Sequence, residues 1–104
     1  MNLYELPALP LEEELLEILF KDEKIRVERI ISTGQTGDWY DQDENELVFL
    51  IEGKANLEFD GGRIESMHKG DFREIKAHEK HRVVYTSSQP PCIWLCVFYI
   101  GAEA

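Results

Sequence analysis

Hydrophobic positions in this chain come in short blocks separated by turn residues. Ile25–Ser32 alternates, with Ile25, Val27 and Arg29 on one phase and Arg26, Glu28 and Ile30 on the other. The alternation predicts a strand, although Arg29 breaks the apolar phase. Further strands are expected over Glu46–Glu52, Ala55–Phe59, Arg63–Met67, Phe72–Ile75, Arg82–Thr86 and Ile93–Tyr99. Between them lie Gly53-Lys54, Asp60-Gly61-Gly62, Lys69-Gly70-Asp71 and the segment Ser87–Pro91, all rich in turn formers. The stretch Glu14–Phe20 has two readings. Its Leu and Glu favour helix by propensity, whereas a turn at KDEK, 21 to 24, would fold it back on 25–32 as a hairpin of two edge strands. The hairpin is the preferred expectation. Pro7 and Pro10 make residues 1–12 an irregular arm, with Pro10 able to open a short helix through the following acids. Short strands at even spacing predict an all-β sandwich or barrel formed as a single domain over 1–104.

Strand phase also places chemistry. If Glu46 points inward, so do Val48 and Leu50; if His81 points inward, so do Val83 and Tyr85. One carboxyl and one imidazole then face an otherwise apolar interior. Such groups are costly to bury unless they are paired, hydrogen-bonded or bound to a metal.

Composition narrows the partners. The chain has 104 residues, enough for one compact core, and 43% are hydrophobic, as in a folded globular protein. Eleven basic against 21 acidic residues give a formal charge of −10. That argues against nucleic acid or an anionic membrane as partner, because phosphate contacts need clustered Lys and Arg. The N-terminal twenty residues carry acids throughout and lack the basic start of a signal peptide, so a cytoplasmic location is expected. The apolar run Cys92–Ile100 is too short to span a bilayer. Cys92 and Cys96 would share a strand face roughly 13 Å apart at about 3.3 Å per residue, too far for a mutual disulfide. They are expected to be small core residues.

Two stretches resemble the paired motifs of the cupin family, whose fold is a double-stranded β-helix, or jelly-roll, barrel. The first motif reads Gly, five residues, His, one, His, three or four, Glu, six, Gly. Gly34, Glu46 and Gly53 match it, and Tyr40 and Gln42 stand at the two His positions. The second reads Gly, five, Pro, one, Gly, two, His, three, Asn. Gly70 and His81 match, with Lys76 at the Pro position, His78 at the second Gly and Tyr85 at the Asn. The resemblance spans Ile25 to Tyr99. It implies that Gln42, Glu46 and His81 hold a divalent metal ion (Zn, Mn, Fe or Ni) in the barrel. Two ligands of the usual kind are fewer than a tight zinc site needs, although a mixed oxygen and nitrogen set can hold Mn, Fe or Ni weakly. It also implies that Tyr40 or Tyr85, at the barrel mouth, contacts substrate or acts as acid or base. A one-residue shift of register in the first motif would instead bring Trp39 and Asp41 to the His positions and make Asp41 a ligand.

Three functional readings follow: a metal-dependent cupin enzyme acting on a small molecule, a non-catalytic ligand-binding cupin, and a structural cupin with a packed barrel. A homodimer is expected in each, as is common among cupins. The bland alternatives are that Glu46 and His81 bond only to each other, helped by Gln42 and Tyr85, that Asp41, Asp43 and Glu44 form a solvated rim, and that His68 and His78 are surface residues. No catalytic triad, phosphate-binding glycine loop or CxxC pair is present.

Overall fold

The computed structural model describes residues 1–101. Eight strands form: β1 Leu15–Lys21, β2 Ile25–Ser32, β3 Asn45–Glu52, β4 Lys54–Phe59, β5 Arg63–His68, β6 Phe72–Ile75, β7 His81–Thr86 and β8 Cys92–Tyr99. Every expected strand is present within a residue or so of its expected bounds. The Glu14–Phe20 ambiguity resolves as strand, and no helix forms after Pro10. Partner strands override the helix propensity of Leu and Glu.

The strands form a five-stranded sheet in the order β1-β2-β8-β3-β6 and a three-stranded sheet in the order β5-β4-β7. All the pairings between named strands are antiparallel. The architecture is therefore all-β and jelly-roll-like, but the backbone hydrogen bonds leave two sheets rather than one closed barrel. The core lies between them. Val48, Leu50, Trp94, Cys96 and Phe98 of the larger sheet pack with Ala55, Leu57, Phe59 and Met67 of the smaller. Of the two strands of the first hairpin, only β1 is an edge strand. The hairpin's other arm, β2, is interior, because β8 pairs along its free side from Ile25↔Tyr99 to Ser32↔Cys92. Along the β1 edge Leu16, Ile18 and Phe20 are about half exposed.

The break at Arg29 has a structural reason. The inward phase of β2 carries Arg26, Glu28 and Ile30, so Arg29 points to the opposite face beside buried Ile31. There it is not solvated. Its guanidinium pairs with Glu17 of β1 and donates to the carbonyls of Leu3 (3.1 Å) and Glu5 (2.6 Å). Leu11 N–H donates to Thr33 Oγ1. The irregular arm is thus fastened across the outer face of the five-stranded sheet. No helix among the described residues is long and apolar enough to cross a membrane.

Phe72 is two-thirds exposed and stacks on Phe49 across the β3–β6 pair. Trp39 is half exposed under the Arg82 guanidinium.

Candidate functional site

Glu46 is the second residue of β3 and His81 the first of β7, so the two come from different sheets and meet across the core. Both are buried. His81 Nε2 lies 3.8 Å from Glu46 Oε1. Its Nδ1 lies 2.9 Å from the carbonyl of Glu79. A carbonyl can only accept, so Nδ1 carries the proton, and in the neutral ring Nε2 presents its lone pair to Glu46. The imidazole is held in place by a backbone bridge between Tyr40 and His81. The Tyr40 ring stacks on it at a centroid distance of 5.8 Å, and the Phe59 ring flanks it at 6.2 Å.

Gln42 Nε2 donates to Glu46 Oε1 at 3.3 Å, and Cys96 also bonds this carboxyl. Burial nonetheless pushes the Glu46 pKa up, against the lowering effect of His81 and these bonds. Burial and the neighbouring Glu46 carboxyl also push the Cys96 thiol well up. It is a core residue, as expected, but one that borders the site. Tyr40 is raised too, first by burial and then by Glu14 and Asp38. Its phenol therefore holds its proton more firmly than a free tyrosine.

These side chains open on a cavity of about 330 Å³. Gln42, Glu46, His81 and Tyr40 border it; Tyr85 does not. The inward phase expected for Tyr85 fails at a bulge. Leu57 pairs with Val83, but the next β4 residue back, Asn56, pairs with Tyr85, so Val84 is the extra residue. Tyr85 is turned to the outer face, where it is half exposed. The first motif's register is the unshifted one. Gln42 meets Glu46, while Asp41 bonds His78 Nδ1 at 2.7 Å, and both Asp41 and His78 are exposed. His78, at the second glycine position of the other motif, has φ 64°, in the left-handed region that glycine favours.

The donor set suits a divalent ion poorly. Glu46 and His81 are two good ligands, and Gln42 turns its amide nitrogen, not its oxygen, to Glu46. No group of three or more His, Cys, Asp or Glu among the described residues is arranged to hold a metal. Other groups do reach the cavity. Glu14, Arg26, Glu28 and Glu44 border it. Arg26 Nε donates to Glu28 at 2.7 Å and Nη1 to Glu44 at 2.9 Å, with the guanidinium 4.2 Å over the Phe98 ring. Glu28 and Arg26 were legible as a pair of opposite charges on the phase of Ile30. Glu44 belongs to the site rather than to a solvated rim, while Asp43 fits the rim, its side chain 95% exposed.

A raised carboxyl pKa has a consequence for stability. The Glu46 contribution is greatest below the unfolded-state pKa, about 4.3. It is lost as pH rises through the higher folded-state value, because the native state there holds the extra proton. Glu46→Gln, whose amide oxygen can still accept from Gln42, should therefore gain in melting temperature over wild type as pH rises from 4.5 to 7. At about 4–8 °C per kcal/mol for a domain of this size, scanning calorimetry resolves the divergence. A constant difference across that range would mean that Glu46 is not held protonated by burial.

The comparisons agree with this architecture. The family model for the cupin domain matches residues 27–98. A protein of Ralstonia eutropha JMP134 provisionally named a mannose-6-phosphate isomerase is 32% identical, with 97% of each chain covered and a TM-score of 0.90. A cupin superfamily protein of Desulfitobacterium hafniense DCB-2 is 14% identical over 91% of this chain and 84% of its own, with a TM-score of 0.79. An RmlC-like cupin of Desulfovibrio desulfuricans is 15% identical over 95% and 93%, with a TM-score of 0.79. No curated protein matches the chain. With 72 consecutive residues inside the family model and both motif glutamate and histidine facing one cavity, this chain belongs to the cupin domain family.

Proposed function

We propose that this cupin binds a small molecule in the cavity and moves protons on it with Glu46 and His81. The observation that carries the reading is the pair itself: a buried carboxyl with a raised pKa, 3.8 Å from an imidazole nitrogen whose lone pair faces it. A carboxyl whose hold on its proton is strengthened by burial, beside an imidazole, is usual material for acid and base catalysis. In this reading His81 Nε2 accepts a proton from the substrate, the Glu79 carbonyl steadies the resulting imidazolium, and the Glu46 carboxyl donates. Tyr40, a protonated phenol stacked on the imidazole, donates a hydrogen bond to the substrate from the cavity mouth. Tyr85 takes no part. Shifting a proton between neighbouring carbons is the chemistry of an isomerase, the class named for the Ralstonia relative.

The test is hydrogen exchange. Wild-type protein, incubated in D2O with aldoses and α-hydroxyketones, amino-substituted ones included, should wash deuterium into the carbon beside the carbonyl of at least one of them, followed by proton NMR. Glu46→Gln and His81→Asn should each slow this by about 100-fold or more. Absence of exchange with every carbonyl compound would withdraw the catalytic role and leave a binding cupin. Elemental analysis of the same untagged samples decides the metal reading implied by the family. A full equivalent of Zn, Mn, Fe or Ni, lost in the Glu46→Ala/His81→Ala double variant, would put an ion between these two residues. A homodimer is part of the proposal, supported by the unpaired edge of β1 with its exposed Leu16, Ile18 and Phe20. Light scattering on those samples reads it, and a monomer would remove it.

A further inference from the structure

The cavity has a charge pattern that selects among small molecules. Glu14, Glu28, Glu44 and Glu46 border it, and the only Lys or Arg among the described residues that does so is Arg26. That guanidinium is already committed, to Glu28 and Glu44 and to the face of Phe98. Glu14 bonds the Ser32 hydroxyl at 3.3 Å, and Glu46 bonds Gln42 and Cys96. Neither is paired with a fixed cation. Burial pushes both carboxyls up, and Glu28 adds to the effect on each. The interior is therefore short of positive charge. Its remaining walls are apolar and aromatic, with Tyr40, Trp94 and Phe98 among them, and aromatic faces attract cations at close range.

A phosphate would meet the opposite. Phosphate recognition uses arginine forks, lysines or converging N–H groups. Here the one fork is occupied, and bringing a dianion among four carboxyl groups in a partly buried space is repulsive. We infer that the small molecule taken by this cavity carries an organic cation, a protonated amine in the simplest case, and that sugar phosphates are refused. The ammonium would sit beside Glu14 against the aromatic wall, with Glu46 left as the proton donor, and its carbon frame would lie on Val48, Leu57 and Ile75. This rests on the reading that the cavity binds a small molecule. It separates the chain from the substrate in the name of its 32% identical relative. At about 330 Å³ the space is at the lower end of ligand pockets and suits a molecule of modest size.

Three probes with one carbon frame test the charge: 2-phenylethylammonium, 2-phenylethanol and 3-phenylpropanoate, with mannose 6-phosphate as a fourth. The chain has two tryptophans, Trp94 bordering the cavity and Trp39 outside it, so the two indole N–H resonances give a site and a control. The ammonium compound should shift Trp94 and bind at least tenfold more tightly than the alcohol. The carboxylate and the sugar phosphate should leave Trp94 unmoved at the same concentrations. Glu14→Gln should weaken the ammonium several-fold and leave the alcohol unchanged. If the alcohol or either anion binds as tightly as the ammonium, the charge inference is wrong while the cavity remains a small-molecule site. If none of the four moves Trp94, the small-molecule reading falls and takes the inference with it.

Discussion

Arg29→Ala is expected to destabilise the protein by about 1–3 kcal/mol, the cost of leaving the acceptors of a buried guanidinium without their donor. The guanidinium is 95% buried on its side chain, between Glu17 of β1 and the arm carbonyls of Leu3 and Glu5. Truncation leaves the Glu17 carboxylate without its partner and at least two carbonyls without a donor. It also releases the arm from the outer face of the sheet. Urea denaturation should show the lost stability, and limited proteolysis should show cleavage within residues 1–11 before the body of the protein is cut. Arg29→Lys should recover only part, since one ammonium cannot reproduce a planar fork that meets partners on two sides. A loss under about 1 kcal/mol would place this bridge among ordinary surface pairs and leave the arm held by Leu11 and Thr33 alone.

Gly53→Ala should cost about 2–5 kcal/mol, from a left-handed backbone of about 1–2 kcal/mol and overpacking of about 1–3 kcal/mol. Gly53 stands between β3 and β4, where the chain passes from the larger sheet to the smaller, with φ +97°. A Cβ there would lie 2.8 Å from Cys92 Cα, from Cys92 Sγ and from the Pro91 carbonyl. Two of these three atoms are backbone and cannot swing aside. Gly34, the other glycine of the same motif, has a similar φ of +96° with nothing within 4 Å of the added carbon. Gly34→Ala should therefore carry the backbone cost alone. Thermal unfolding of the two variants separates conformation from crowding. Equal losses would mean that the β8 backbone yields at Cys92, and that its packing against the turn is looser than the 2.8 Å approach implies.

The strands were readable from sequence because alternation and turn residues act locally. The two motif residues Glu46 and His81 were readable because each lies in phase with apolar neighbours. What escaped notice was set by pairing. Tyr85 is in phase with His81 along the chain, but the bulge opposite Asn56 and Leu57 belongs to the β4–β7 register and has no mark in either strand alone. Arg29 looks like a flaw in a strand until the arm, more than twenty residues earlier, is laid across it. Glu14 enters the cavity from just before β1, a segment whose composition suggests helix. Arg26 and Glu28 did carry a signal, two opposite charges on the face of Ile30. Alternation alone leaves open which face of β2 turns inward, and here the more polar one does.

The central place of β8 has a consequence for synthesis. Strands β2 and β3 both pair with β8 and not with each other, and β8 is the last strand among the described residues. A ribosome-bound chain ending before Cys92 can close the β1–β2 hairpin and the β3–β6 ladder, yet it has nothing to join them. Pairings this distant in sequence, from Ile25↔Tyr99 in β2–β8 to Glu52↔Ile93 in β3–β8, close slowly, since the loop entropy is lost before contacts compensate it. Assembly of the five-stranded sheet, and with it the wall that carries Glu28, Glu46 and Cys96, therefore waits until β8 has emerged. Until the last strand emerges, the apolar faces of its two future neighbours stay open to chaperones or to other nascent chains.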